Sequence, residues 1–295
     1  MIEDIEARLR RPELEDREWV RTALSGSGRE GADWCFGCIY MWAPVYYYEI
    51  ANIDGMFVGK MGDSYSLPAG DGDPSDILRE LLRESLEPLK LHAICDYQKA
   101  WLEETFPGTF RFEEDRNNED YLYSVEALAK LSGKKYHSKR NHCSYFEKNF
   151  NWTYEPMTQN VAEECMQFSH LWIDENERQA EEGADLELDA IQRALAHFDE
   201  LEFVGGVLRI DGKIVAYTFG EPINDRVFDT HIEKADANIR GAYPMINREF
   251  ARNSISQYEI VNREEDMGLE GLRKAKESYH PVELLTKYNA VEIRS

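Results

Sequence analysis

Long apolar runs are missing from this 295-residue chain, and several classes of protein are excluded with them. The most apolar-looking stretch, Cys35 to Ile53, is interrupted by Pro44 and Glu49 and rich in Tyr and Trp, whereas a membrane helix needs ~20 predominantly apolar residues. No span is expected. The N-terminus, MIEDIEARLRRPELEDREWV, has no apolar centre of the length a secretory signal requires, and Ile2, Ile5 and Leu9 suit a short amphipathic helix. A cytoplasmic location is the expectation. Positive charge is scarce too: 34 Lys and Arg stand against 57 Asp and Glu, a net charge of -23. With a pI near 4.7, the surface repels nucleic acid and anionic membranes over a Debye length of ~8 Å. A polyanion must therefore dock at a local basic patch. Cysteine is sparse, five in all, and Cys95, Cys143 and Cys165 are scattered as expected of reduced thiols. Cys35 and Cys38 form one Cys-x-x-Cys with no second pair and no His at ligand spacing, so no metal site is expected. They read as structural thiols, with a redox or metal pair as the alternative.

What is present is ample for a folded core: 42% hydrophobic residues and 12% aromatics. The local exception to the acidic balance is LSGKKYHSKRNHCSYFEKNF, Leu131 to Phe150. From Lys130 to Lys148 there are six Lys or Arg and two His against one acid, Glu147. On one continuous helix Lys135, Lys139 and His142 share a face, with Arg140 turned about 100° away beside Tyr136. Such a ridge suits an anion, or else a solvated helix paired with nearby acids.

The aromatic and β-branched stretch Trp34 to Tyr65, with turn signals at Asn52-Ile53-Asp54-Gly55 and Gly62-Asp63, predicts a meander of strands. Asp73-Pro74 opens a helix whose apolar face is Ile77, Leu78, Leu81, Leu82 and Leu86. A strand at Leu91 to Ile94, a helix from Tyr97 to Phe106, a strand at Tyr121 to Val125 and helices from Glu126 and from about Lys134 follow. The second half opens with helices from about Asn160 and from Leu186 to Leu201. Strands are expected at Gly206 to Ile210, Ile214 to Gly220 and Val227 to Glu233, the first two joined at Asp211-Gly212-Lys213. A helix from about Gly241 to Asn253, a strand Tyr258 to Val261, a helix Leu269 to Tyr279 and a strand Val282 to Tyr288 complete the chain. The order is mixed α/β (α+β) and matches tandem GCN5-related N-acetyltransferase-like domains, mixed central sheets flanked by helices, in which two strands splay to leave a cleft. The expected division is 1–150 and 151–295, near Asn151.

Three segments carry a family resemblance: Tyr65-Ser66-Leu67-Pro68-Ala69-Gly70, then Leu131 to Phe150 with Lys139-Arg140-Asn141, and Asn262-Arg263-Glu264-Glu265-Asp266-Met267-Gly268. Over roughly residues 30 to 290 the chain resembles the phosphatidylglycerol lysyltransferase C-terminal domain family. The resemblance implies a tandem acyltransferase fold and a reaction that moves an acyl or aminoacyl group, from aminoacyl-tRNA or acyl-CoA, to an amine or hydroxyl. It departs from the lysyltransferases in having no membrane-embedded segment, and from ordinary acetyltransferases in the pyrophosphate loop, where the nearest match is Asn238-Ile239-Arg240-Gly241-Ala242.

The candidate donor-binding residues are Lys135, Lys139, Arg140, Asn141, Arg240 and Gly241. Glu264, Glu265 and Asp266 follow a predicted strand, where an α/β sheet presents ligand-binding residues. Their mutual repulsion suits one of them to act as a base, or together they cap the next helix. Glu264 and Asp266 are thus catalytic candidates, and Asn262, Glu265 and Glu233 acceptor-binding ones. Strand alternation places His231 and Glu233 on one face, where they would orient an amine if they face the cleft, or where His231 is a hydrogen-bonded strand residue if they face the core edge; His231 is thus a catalytic candidate. Tyr279 resembles the leaving-group acid of acetyltransferases, or is a core residue at helical spacing. No tightly bound cofactor is expected. The partners expected are a small-molecule or peptide amine and a tRNA at the basic patch. The alternative function is a non-catalytic small-ligand or peptide-binding protein that retains the cleft, or a scaffold assembling through its aromatic region.

Overall fold

The computed structural model describes residues 5–25, 30–176 and 184–294. In chain order the first elements are α1 (Arg17–Ser25), α2 (Phe36–Tyr46), β1 (Tyr48–Ile53), β2 (Met56–Met61), β3 (Ser64–Tyr65), α3 (Ser75–Glu84), β4 (Lys90–Ile94), α4 (Asp96–Thr105) and β5 (Phe110–Glu114). There follow β6 (Asp120–Ser124), α5 (Val125–Lys130), α6 (His137–Asn149), β7 (Trp152–Pro156), α7 (Gln159–Asn176) and α8 (Ala184–Ala196). The chain closes with β8 (Val204–Ile210), β9 (Lys213–Pro222), β10 (Val227–Ala235), α9 (Ala242–Asn253), β11 (Ile260–Asn262), α10 (Glu270–Glu277), β12 (Glu283–Leu285) and β13 (Tyr288–Glu292).

Two compact units result. The first takes Met1–Asp120, Glu265–Arg273 and Leu284–Ser295; the second takes Tyr121–Glu264 and Lys274–Glu283. One sheet runs β1-β2-β3-β4-β13-β5 and the other β12-β6-β11-β10-β9-β8-β7. Both are mixed, because β3 pairs parallel with β4 and β10 parallel with β11 while their other mapped pairings are antiparallel. The α/β class with two mixed sheets flanked by helices is therefore the one the sequence led us to expect.

The expected boundary near Asn151 differs from this division. β6 pairs with β11 through Leu122↔Asn262, which draws the chain from Tyr121 onward, with α5 and α6, into the second unit. The C-terminal strand differs as well: Val282 to Tyr288 divides into β12 and β13, and β13 lies between β4 and β5 in the first sheet. Pairing partners this distant leave no local sequence signal.

The stretch expected to be a strand meander begins instead with α2, whose Phe36, Gly37, Ile39, Tyr40, Met41 and Ala43 are all buried. A helix apolar on most faces shows no 3.6-residue contrast and is indistinguishable by periodicity from a buried strand. It ends at Tyr47, in the left-handed region at φ 53°. The Asp54-Gly55 turn then pairs β1 with β2 as expected, Ile53 opposite Met56. α3 stops at Glu84, leaving Leu86 exposed rather than on its apolar face. Strands β5 and β7 have no counterpart in the sequence reading.

The first unit packs Ile53, Val58, Leu67, Leu78, Leu91, Ile94 and Leu102 into one core. In the second, Cys143 and Phe146 of α6 pack with Met245 and Ile246 of α9 and Leu208 and Ala216 of the sheet. That seam fixes α6, and with it the basic stretch, over one face of the second sheet.

Candidate functional site

In the second unit β10 and β11 pair in parallel only over Val227–Asp229 and Ile260–Asn262. Beyond that point β10 runs on to Ala235, held by β9 on its other side, while the chain after β11 turns away. The strands splay there, and side chains fill the gap. Arg263 Nη2 donates to Glu233 Oε1 at 2.8 Å, and Asn247 of α9 donates to Glu233 Oε2 at 3.1 Å. The guanidinium lies 4.9 Å from the ring centre of Tyr279 and 5.5 Å from that of Tyr123. Lys139 of α6 places its Nζ 3.6 Å from the ring centre of Tyr279. Two further tyrosines fix this corner, since Tyr136 donates to the Tyr279 carbonyl at 3.0 Å and Tyr123 to the Lys276 carbonyl at 2.8 Å.

The electrostatics follow from that geometry. Partial burial and the neighbouring Arg263 charge push the Lys139 ammonium down to about 8, against a smaller opposing pull from Glu233. Burial, reinforced by Glu233, pushes the Tyr279 phenol up, so it keeps its proton. Lys139 is thus mostly charged near neutral pH but keeps a neutral minority of about a tenth, beside a phenol that retains its proton. Among the described residues, Arg263 Nη1 and Asn247 Oδ1 have no hydrogen-bond partner. One is a donor and the other an acceptor, and both belong to side chains gripping Glu233.

His231 does not share this face with Glu233, contrary to strand alternation. The register between β10 and β9 slips between Thr230 and Ile232, a bulge that shifts the following residues by one. His231 packs its ring 5.5 Å from Phe203, which also packs on Phe219, while Glu233 points to α9. The imidazole sits among Glu264 (3.0 Å), Glu221 (3.2 Å) and Asp229 (3.4 Å). Burial alone would lower its pKa, but Asp229, Glu221 and Glu264 together raise it well above the ordinary value. It is therefore an imidazolium at neutral pH and unsuited to act as a base.

The acidic triplet separates residue by residue. Glu264, at φ 57°, directs its carboxylate to His231 while its N–H donates to the fully buried Asn262 Oδ1 at 2.7 Å. Asn262 thereby closes the turn after β11. Asp266, in the first unit, is buried between Arg116 (3.2 Å) and Arg273 (2.8 Å) and accepts from the Gly268 N–H, so its side chain closes the turn that precedes α10. Glu265 contributes to the field that keeps the buried Lys287 protonated.

The basic stretch is likewise not one ridge. Lys135 is exposed in a 3-10 turn that precedes α6, so it is not in helical register with Lys139. Arg140 donates to the carbonyls of Leu131 and Gly133, closing the turn after α5. Asn141 is exposed and bonds His137 at 3.1 Å. Arg240 lies 4.4 Å over the ring of Tyr145. Gly241, at φ 95°, is required by packing: a Cβ there would meet the His142 carbonyl oxygen at 2.5 Å. The expected anion cradle at the start of α9 is thus filled by α6, and the Ala242 N–H is taken by the Ile239 carbonyl at 3.1 Å.

Of the sequence candidates, Lys139, Glu233 and Tyr279 converge. Arg263, Tyr123 and Asn247 join them without having been singled out. Arg263 stood inside the Asn262 to Gly268 motif and was legible there; Asn247, on α9, had no signal.

A family model for the C-terminal domain of phosphatidylglycerol lysyltransferase matches residues 26–291. A solved structure of a conserved protein of unknown function from Bacteroides thetaiotaomicron VPI-5482 is 39% identical, covers 99% of this chain and 100% of that one, and superposes with a TM-score of 0.92. The C-terminal domain of a candidate lysylphosphatidylglycerol synthetase from Agrobacterium fabrum has the same fold at 18% identity, with coverages of 94% and 91% and a TM-score of 0.67. An uncharacterised protein of Mycoplasmoides gallisepticum is 22% identical over 207 residues, 70% of this chain, and the chain spans 65% of that protein's length.

Proposed function

Because the chain belongs to the phosphatidylglycerol lysyltransferase C-terminal family, we propose that it transfers an activated aminoacyl or acyl group to an amine or hydroxyl acceptor at the splay of β10 and β11. The observation that carries this reading is the seating of Lys139 over Tyr279 beside the Arg263–Glu233 pair. Neutral Lys139 takes the proton of the acceptor, whose lone pair attacks the donor carbonyl. Arg263 Nη1 receives the oxyanion, a contribution of roughly 3 kcal/mol per donor in other enzymes. As the carbonyl carbon to leaving-group bond breaks, the Tyr279 phenol protonates the departing oxygen or sulfur.

The donor reading rests on two points. The family is named for lysyl transfer, which favours an aminoacyl-tRNA. The pyrophosphate-loop counterpart at Gly241 is occupied by the His142 carbonyl, which disfavours acyl-CoA. Exposed Lys134, Lys135 and Lys148 supply a local patch for a tRNA backbone on an otherwise acidic chain.

The test is a thermal-shift panel of aminoacyl-tRNAs, uncharged tRNA and acyl-CoAs, followed by single-turnover transfer to amine and hydroxyl acceptors. A donor at ~100 times its dissociation constant adds ~2.7 kcal/mol. Transfer from an aminoacyl-tRNA that Lys139→Met abolishes is the expected result. Stabilisation and turnover by acyl-CoA alone reverses the donor assignment. Stabilisation by a donor that is never consumed means a binding protein.

A further inference from the structure

Asn247 sits buried, 6% exposed, in the middle of α9, a poor place for an asparagine, whose amide competes with the helix backbone and loses its hydration there. Its buried neighbours on α9 include the apolar Met245 and Ile246 of one core cluster and Phe250 and Ala251 of another. The adjoining Arg248 and Glu249 pair with each other at 2.8 Å. Among the described residues Asn247 makes one side-chain hydrogen bond, from Nδ2 to Glu233 Oε2 at 3.1 Å. A carboxylate in an ion pair only accepts, so the amide nitrogen must face Glu233 and Oδ1 lies on the opposite arm, with no hydrogen-bond partner among the described residues. Packing explains neither the polar group nor the orphaned oxygen, whose burial costs free energy until a donor reaches it.

The same carboxylate connects Asn247 to the reacting centre. Glu233 Oε1 accepts from Arg263 at 2.8 Å, and Arg263 and Lys139 lie 4.9 Å and 3.6 Å from the ring centre of Tyr279. All five residues belong to the second unit. An N–H of the acceptor is the donor that fits. A hydroxyl has one hydrogen and cannot serve Lys139 and Oδ1 at once. A primary amine entering as the free base has two: Lys139 takes one, and the other stays on nitrogen through the transition state and into the amide product.

We propose that Asn247 Oδ1 holds the retained N–H of the acceptor and so makes the site selective for a primary amine over a hydroxyl. This rests on the transfer reading above. The carbon–nitrogen bond forms as the carbonyl carbon to leaving-group bond breaks; one amine proton passes to Lys139, and Tyr279 gives its proton to the leaving group and recovers it from Lys139. Asn247 exchanges no proton and acts as a specificity contact. Leaving its oxygen without a donor rejects the hydroxyl by about 5- to 150-fold.

The matched probes are 2-methoxyethylamine and 2-methoxyethanol, titrated near pH 8 into the full-length protein by ligand-observed NMR and offered as acceptors to lysyl-tRNA and to acetyl-CoA in single turnovers. The wild type should bind the amine about tenfold or more tightly than the alcohol, and Asn247→Leu should bring the two within about twofold. A packing lesion alone weakens both probes together and leaves their ratio intact. A ratio that Asn247→Leu does not change overturns the assignment, whether or not transfer is seen. Collapse of the ratio with no transfer from either donor supports the Asn247 contact and rejects the transferase reading. Transfer at one and the same amine-to-alcohol ratio in wild type and variant does the reverse. Should Asn247→Leu not fold, Asn247→Ser, too short to reach, replaces it, and a wild-type binding ratio near one is by itself enough to sink the proposal.

Discussion

Lys139 and His231 are two cations under opposite physical regimes. Lys139 is held next to another cation and partly desolvated, so its proton is loosely bound at about 8. If it is the base, transfer rate rises with pH and levels off above about 8, and Lys139→Arg, which cannot deprotonate, loses about 10²-fold or more in kcat. A pH profile of single-turnover rates measures both. Its folded pKa lies below the unfolded one, so folding disfavours the ammonium and stability gains as pH rises between about 8 and the unfolded value. Lys139→Met should therefore raise the melting temperature at neutral pH while abolishing transfer. His231 is the reverse case. Its folded pKa lies well above 6.5, so its contribution to stability is complete below about 6.5 and is lost only as pH rises through the raised folded value. His231→Asn leaves the buried Asp229 and Glu221 and the half-buried Glu264 without their cation and should cost about 3–5 kcal/mol in urea unfolding. An unchanged midpoint would mean that the imidazole is not charged.

At the level of elements, the site exists because α6, α9 and two strands meet at fixed distances. Gly241 is the tightest point, and Gly241→Ala forces either α6 or the start of α9 to move while straining a left-handed backbone, a cost of about 1–3 kcal/mol. Loss of transfer greater than loss of stability is expected, because the movement unseats Lys139 from Tyr279. Arg140 sits on the same helix but serves the turn after α5. Arg140→Ala should lower the melting temperature with donor affinity nearly unchanged, the opposite of what its place in a basic motif implies; a donor titration beside the melt separates the two. Most elements were legible: α3, α4, α9 and the β8–β9 hairpin lie close to where capping residues, Pro74 and Asp211-Gly212 place them. The bulge at His231 was not, because a register slip depends on the partner strand and leaves its own strand's sequence unmarked.

At the scale of the whole molecule, a C-terminal strand completes an N-terminal sheet. Deleting the chain from Val282 onward removes β13 from between β4 and β5. The first unit should then lose its cooperative unfolding transition even though the deletion is more than 160 residues from β5 in sequence, a result that near-UV circular dichroism and limited proteolysis would register. A truncated chain that melts like the full one would contradict this topology. Local rules carried a good deal of the chain: composition excluded a membrane span, helical spacing and turn residues marked most elements, and the motifs named the family and contained both Lys139 and Arg263. Tertiary structure alone decided that Lys139 meets Arg263, Glu233 and Tyr279 while Arg140, Asp266 and His231 are held elsewhere. A residue's type and spacing are properties of the local chain, whereas its desolvation and its charged neighbours come from strands and helices paired across large sequence separations.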